Sequence, residues 1–165
     1  MVYVTADTHF GDENILRFEG RPFSSVKEMD EALIHSWNVM VKEDDEIWHL
    51  GDFSIPGMEE YYLNQLHGKI FLIKGNHDLL SNEEYRKMGF AEVYDHPVIL
   101  DGFWMMSHEP LYVTRNAPYA NVFGHVHGSP QYADVSCRHF IACVERTGYK
   151  PLPLEEVKRM VLNMA

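Results

Sequence analysis

Several features that would mark a specialised class of protein are scarce or missing in this chain of 165 residues. It has two cysteines, Cys137 and Cys143, too few for the disulfide framework of a small secreted domain. No apolar stretch approaches the roughly 20 residues that a membrane-spanning helix needs. The first residues have neither a basic start nor a long apolar segment, so no signal peptide is predicted. We therefore expect a cytoplasmic protein with reduced thiols and no membrane partner.

Basic residues are also in deficit, with 14 lysines and arginines against 25 aspartates and glutamates. The formal net charge of -11 would repel nucleic-acid phosphates, so nonspecific nucleic-acid binding is disfavoured. A small phosphorylated substrate remains compatible, because bound divalent cations would make one site locally positive. The length and the hydrophobic fraction of 45% predict one globular domain over residues 1–165.

Strand-like and helix-like segments alternate in the first half of the sequence. Residues 2–6, 47–50 and 70–73 are short apolar runs typical of buried strands. Ser25 and Glu28 form a capping-box pattern that predicts the start of an amphipathic helix, and a second helix is expected over residues 58–66. The second half predicts several short strands and a terminal helix. We expect an α/β fold in which two mixed β-sheets pack face to face with helices on the outside.

Five polar clusters follow apolar runs, at the positions where ligand sites form in α/β sheets. Between them they supply two aspartates, one asparagine and four histidines as candidate metal ligands. These are Asp7, His9, Asp52, Asn76, His108, His125 and His127. If one carboxylate bridges, seven such side chains can give each of two ions four protein contacts, with positions left for water and substrate.

In this order the clusters resemble the signature of the calcineurin-like metallophosphoesterase superfamily. The segment from Asp7 to Ile15, with Arg21-Pro22-Phe23, further resembles small bacterial and phage phosphoesterases. The resemblance implies two metal sites that share Asp52. The first would consist of Asp7, His9, Asp52 and His127, and the second of Asp52, Asn76, His108 and His125.

The resemblance also implies a role for His77, which would face the substrate, stabilise the phosphoryl transition state and protonate the leaving oxygen. Asp78 is expected to orient the His77 imidazole through a hydrogen bond. Three arginines in loop-like segments, Arg17, Arg21 and Arg115, are candidates for holding substrate oxygens. Solvated surface arginines are the alternative interpretation for each of them.

The implied reaction is hydrolysis of a phosphate ester by a hydroxide that bridges two divalent ions, and a small phosphodiester is the expected substrate. The ligands include no thiolate, so manganese, iron and zinc all suit them, and we expect Mn²⁺ to support activity in vitro. Two alternatives stay open. The chain could be a catalytically inactive scaffold of this fold, or a nuclease.

Overall fold

The computed structural model describes residues 1–114, 116–132 and 137–163. Within these residues, nine strands form two sheets, and six α-helices connect or flank them. The strands are β1 (Val2–Thr5), β2 (Glu46–His49), β3 (Lys69–Ile73), β4 (Glu92–Tyr94), β5 (Val98–Leu100), β6 (Trp104–Ser107), β7 (Ala120–Phe123), β8 (His139–Ile141) and β9 (Leu152–Pro153). The helices are α1 (Glu13–Phe18), α2 (Val26–Met40), α3 (Glu59–Leu63), α4 (Asn82–Met88), α5 (Val144–Thr147) and α6 (Leu154–Asn163), and one 3-10 turn spans Pro130–Tyr132.

Both sheets are mixed. The first has the strand order β4-β3-β2-β1-β9, with β1 to β4 parallel and β9 antiparallel to β1. The second has the order β5-β6-β7-β8, with β5 antiparallel to β6 and the other pairs parallel. The predicted fold class, an α/β protein with two mixed sheets, is confirmed.

The two faces of the first sheet are covered differently. Tyr3 and Ile47 belong to an apolar cluster with Met29, Leu33 and Trp37 of helix α2. The residues that follow them in the strands, such as Val4 and Trp48, instead join a cluster with apolar side chains of β6, β7 and α6. Because successive strand residues point to opposite faces, strands buried on both sides are continuously apolar. This explains why the first three strands could be predicted as mainly apolar runs.

Helix α2 begins where the sequence predicted. The Ser25 side chain accepts the Glu28 N–H at 3.2 Å. In a capping box the Glu28 carboxylate would accept the backbone N–H of Ser25. Here it accepts the backbone N–H of Ser24 instead, at 2.7 Å. Helix α4 has the complete capping box, formed by Ser81 and Glu84, and this helix had not been predicted.

Both cysteines are free. Cys143 is fully buried, as expected of a structural thiol, whereas Cys137 is exposed.

Candidate metal centre

The predicted ligands come together beyond the carboxyl ends of five parallel strands. Asp7 follows β1, Asp52 follows β2, and Asn76 follows β3 in the first sheet. His108 follows β6 and His125 follows β7 in the second. A parallel bridge between Ala6 and Cys143 joins the two sheets at this edge. The loops of both sheets therefore meet over one site.

The backbone at this site is held in an unusual conformation. Five of the candidate ligands have positive φ, a region that residues other than glycine rarely adopt. They are Asp7 (58°), His9 (48°), Asp52 (57°), His125 (68°) and His127 (48°). Each such residue costs on the order of 1–3 kcal/mol and persists only where the surroundings fix it. Hydrogen bonds between loops do so here, for example from the Asp7 N–H to the Gly51 carbonyl at 3.0 Å.

The predicted ligands form two groups. In one, ligand atoms of Asp7, His9 and His127 all lie within 4.8 Å of one another. In the other, the same holds for Asp52, His108 and His125. Asn76 belongs to the second group, because its Oδ1 atom lies 3.0 Å from both His108 Nε2 and His125 Nδ1.

Asp52 connects the two groups. Its Oδ2 atom lies 3.5 Å from His9 Nε2 and 3.5 Å from His108 Nε2. Its other oxygen, Oδ1, accepts the His77 backbone N–H at 2.9 Å. This bond holds the carboxylate with Oδ2 between the two imidazoles. The arrangement fits the bridging role that the sequence resemblance implied.

The donor atoms fit divalent cations. His9 Nε2 is buried and has no hydrogen-bond partner within the part of the chain that the structure describes. His108 Nδ1 lies 2.8 Å from the Leu50 carbonyl, so it donates there and leaves the lone pair of Nε2 for a metal. Burial lowers the pKa of His9 and of His108, which keeps both imidazoles neutral as metal binding requires.

Asp7 is fully buried, and burial raises its pKa to about 8, with repulsion from Asp52 adding to the shift and His127 opposing it. A cation beside this carboxylate would favour its charged form. Gly124 permits the close approach, because a Cβ atom there would lie 2.5 Å from Asp7 Oδ2. Gly75 does the same for Asp52, whose Oδ1 would lie 2.2 Å from an added Cβ.

A comparison with known families agrees with this geometry. The family model described as calcineurin-like phosphoesterase matches residues 1–135. The chain belongs to the calcineurin-like phosphoesterase family. Enzymes of this kind are metal-dependent hydrolases, and the two groups of His and Asp side chains could hold the ions. Among the described residues, no helix combines the length and apolar character needed to cross a bilayer.

Similar proteins are known from archaea, bacteria and phage. The chain is 29% identical over 172 residues to the uncharacterized protein MJ1445 of Methanocaldococcus jannaschii, covering 97% of this chain and 90% of that one. It is 30% identical over 81 residues to the gene 66 protein of Mycobacterium phage L5, covering 46% and 39% of the two chains.

Two solved structures share the fold. A protein of unknown function from Aquifex aeolicus, AQ665, superposes with a TM-score of 0.75 at 27% identity, over 97% of this chain and 98% of that one. The nuclease MPE of Pseudomonas putida superposes with a TM-score of 0.52 at 24% identity, over 76% of this phosphoesterase and 61% of the nuclease.

Glu145 is an important residue of the phosphoesterase site that no sequence motif marks. Its Oε1 atom lies 3.1 Å from His127 Nδ1, so it holds the ring with Nε2 towards Asp7. Burial opposes the charged form of His127, but Glu145 and Asp7 outweigh it and raise the pKa of His127. A carboxylate behind a metal-binding imidazole is a common supporting arrangement.

Arg21 was a candidate for contacting substrate, with a solvated surface arginine as the alternative, and the structure contradicts both interpretations. Its side chain is fully buried, and Nη2 lies 2.7 Å from Glu145 Oε1. Its guanidinium also donates to the carbonyls of Asp7 (2.7 Å) and Thr8 (2.8 Å). A buried guanidinium needs this many acceptors, and none of its donors is left for a substrate. Arg21 is a structural support of the loop that carries the candidate ligands Asp7 and His9.

Asp78 also differs from the prediction. Its carboxylate accepts the backbone N–H groups of Asp52 (2.7 Å), Phe53 (3.1 Å) and Gly75 (2.8 Å), and no hydrogen bond joins it to the described His77 ring. Three amide donors that face a buried carboxylate are strong competitors for it. Asp78 therefore ties the loop after β2 to the loop after β3, and it does not orient His77.

A cavity of about 600 Å³ opens above the ligands. His77 and Arg17 line it together with ligands of both metal groups. His77 is exposed, and its ring lies 5.2 Å from that of His9. The Arg17 side chain is 77% exposed and pairs with Glu13 of the same helix. Of the two candidate substrate arginines that the structure describes, Arg17 lines the cavity and Arg21 does not, whereas Arg115 lies outside the described residues.

Proposed function

We propose that this phosphoesterase hydrolyses a small phosphodiester with the help of two divalent cations. One observation carries the proposal: a single carboxylate oxygen, Asp52 Oδ2, lies 3.5 Å from an imidazole nitrogen of each ligand group. Two ions that share this oxygen would stand close enough to act on one phosphoryl group. The cavity above them gives a substrate access to both.

Bound cations would supply an activated water as the nucleophile and would neutralise charge on the phosphoryl oxygens. The chain contributes three kinds of support for them. Asp7 and Asp52 provide negative charge, Asn76 adds a neutral oxygen, and Glu145 with the Leu50 carbonyl fixes the imidazoles behind the site. Because the ligands are carboxylate, amide and imidazole groups, Mn²⁺ is our proposed activator in vitro, with iron and zinc as alternatives.

His77 is the proposed acid. Its backbone N–H is bonded to Asp52, so the residue is anchored at the site while its side chain stays exposed in the cavity. No described residue forms a hydrogen bond with the ring, and its donors therefore remain available to a substrate. In the reaction, the protonated ring would donate to a phosphoryl oxygen and then transfer its proton to the leaving oxygen.

The charges around the cavity favour a diester. A monoester brings two negative charges and gains from a dedicated cationic clamp, whereas a diester brings one charge. Among the described residues that line the cavity, Arg17 is the arginine, and its charge is paired with that of Glu13. A second cavity of about 420 Å³ is lined by Asn76 and His108, so space for substrate groups is not confined to the first cavity.

The two rival functions are less well supported. An inactive scaffold would not need a complete ligand set or an exposed His77. For a nuclease, the acidic surface opposes binding of a long polyanion, and the likeness to the P. putida nuclease concerns the fold.

The test compares bis(p-nitrophenyl) phosphate with p-nitrophenyl phosphate. Metal-free protein should be inactive, Mn²⁺ should restore turnover, and kcat/KM should be higher for the diester. A tenfold preference for the monoester would contradict the diester assignment and would give Arg17 the role of an anion clamp. Faster cleavage of long single-stranded DNA than of either small ester would instead favour the nuclease. Absence of turnover with two metals bound would favour the scaffold.

A further inference from the structure

Helix α1 (Glu13–Phe18) forms one wall of the 600 Å³ cavity. Its inner side is anchored, because Ile15 is buried in the apolar cluster of the first sheet and Leu16 packs against that cluster. Asn14, Arg17 and Phe18 all line the cavity. Their spacing of three and four residues places them on one face of the helix. The cavity therefore has a metal-binding floor and a helical wall of different chemistry.

Asp12 links helix α1 to the candidate metal ligands at the base of the cavity. Its Oδ1 atom caps the helix by accepting the N–H groups of Asn14 (2.8 Å) and Ile15 (3.4 Å). Its Oδ2 atom lies 3.5 Å from Nδ1 of His9. One side chain thus sets both the start of α1 and the orientation of a metal ligand. A group bound on α1 would have a defined position relative to the metal centre.

The side chains on this wall suit a planar heteroaromatic ring. Phe18 is 85% exposed, so its ring offers a free face on which another ring can stack. The carboxamide of Asn14 has both a donor and an acceptor, as needed to bind the edge of a base. Arg17, whose charge is paired with Glu13, adds a planar guanidinium that can stack on a ring.

We propose that the α1 face of Asn14, Arg17 and Phe18 is a nucleobase subsite. The substrate would be a small nucleotide phosphodiester whose base stacks on Phe18 while its phosphate lies over the metal centre. The proposal rests on the proposed function and names the substrate class of that same site. A cavity of about 600 Å³ is of a size typical for one small ligand, and the net charge of -11 disfavours a polymer.

Two chromogenic diesters test this subsite directly. Thymidine 5′-(p-nitrophenyl phosphate) and methyl p-nitrophenyl phosphate have the same leaving group and the same charge, so the ratio of their kcat/KM values reports on the nucleoside alone. With Mn²⁺, the wild-type ratio should be ten or more. Phe18→Ala should lower it at least fivefold, within the range expected for loss of one base–aromatic stack.

Matched variants separate stacking from general damage. Phe18→Tyr retains the ring and should keep the wild-type ratio. Val39→Ala removes an apolar side chain that is 66% exposed on helix α2, away from the cavity, and should also keep it. A wild-type ratio below five, or a ratio that Phe18→Ala leaves unchanged, would overturn the subsite. Hydrolysis of the methyl ester in that case would leave the proposed phosphodiesterase function intact.

Binding provides a second measurement that does not depend on turnover. By titration calorimetry of the Mn²⁺-loaded protein, thymidine 5′-monophosphate should bind at least tenfold more tightly than methyl phosphate, and Phe18→Ala should remove most of this difference. Equal affinities in the wild type would overturn the subsite. If neither diester were hydrolysed, the proposed function would fail, and the binding comparison would still decide whether α1 recognises a base.

Discussion

Asp52 Oδ2 lies at the same distance, 3.5 Å, from Nε2 of His9 and Nε2 of His108. Asp52 follows a strand of the first sheet, His9 belongs to the loop after β1, and His108 follows a strand of the second sheet. The carboxylate therefore lies where the two sheets meet. In the proposed mechanism this position would let one side chain serve two ions, and His77, whose backbone N–H donates to Asp52 Oδ1 at 2.9 Å, would act beside them as the proton donor.

The first prediction separates metal binding from proton transfer. Asp52→Asn should weaken both metal sites, because the bridging group loses its charge and one coordinating oxygen. His77→Ala should keep two ions per chain and lower kcat about 10²- to 10⁴-fold, the usual range for loss of an acid catalyst. Elemental analysis of both variants gives the answer. Retention of both ions in Asp52→Asn with loss of one in His77→Ala would reverse the two roles.

A second prediction concerns the free energy of unfolding of the ion-free protein. Burial raises the pKa of Asp7 from its ordinary value of 3.8 to about 8. The folded state then holds a proton that the unfolded chain releases, so this contribution to stability is present below pH 3.8 and is lost as the pH rises towards 8.

Asp7→Asn removes this titration. In EDTA at pH 8 the variant should melt about 5 °C above the wild type, equivalent to roughly 2 kcal/mol, and the difference should shrink at pH 5. In excess Mn²⁺ the order should reverse, because the wild type alone gains the full binding free energy. Thermal melts in EDTA at the two pH values and in Mn²⁺ show whether the variant melts above or below the wild type in each condition. A lower melting temperature for Asp7→Asn in EDTA at pH 8 would contradict the burial argument.

The third prediction tests Glu145 as a support of one metal group. Glu145→Gln keeps the size of the side chain but weakens its bonds to His127 and Arg21. We expect affinity for the ion at the group that contains His127 to fall about 10- to 100-fold, as is typical when the partner of a metal-binding histidine is changed. The second ion should bind as in the wild type. Calorimetric titration with Mn²⁺ can separate the sites, and Glu155→Gln, on an exposed position of α6, is the control.

Acidification should remove the ions in a defined order. Asp7 and His127, both in the first group, have raised pKa values, whereas burial lowers the pKa values of His9 and His108. Protons therefore compete with metal ions more effectively at the first group, formed by Asp7, His9 and His127, than at the second. Metal content should fall from two ions to one before it reaches zero, and activity should fade below about pH 6. Simultaneous loss of both ions, or full occupancy at pH 5, would refute this order.

The sequence predicted the candidate metal ligands better than the residues that hold them in position. The ligands stand directly after apolar strands in an ordered motif, and parallel strand ends meet at one edge. Glu145 could not be found in this way, because it belongs to no motif and its bond to Arg21 joins residues 124 positions apart. The direction of the Asp78 side chain depends on three backbone N–H groups, and these come together only in the folded chain. Helix α1 was missed because six residues are too few to show a helical period.

The measurement that tests the central claim most directly is electron paramagnetic resonance of the protein loaded with two equivalents of Mn²⁺. If Asp52 bridges the ions, the spectrum should be that of an exchange-coupled pair, and Asp52→Asn should convert it to the six-line signal of isolated Mn²⁺. An uncoupled six-line spectrum from wild-type protein with two bound ions would contradict the shared-carboxylate centre.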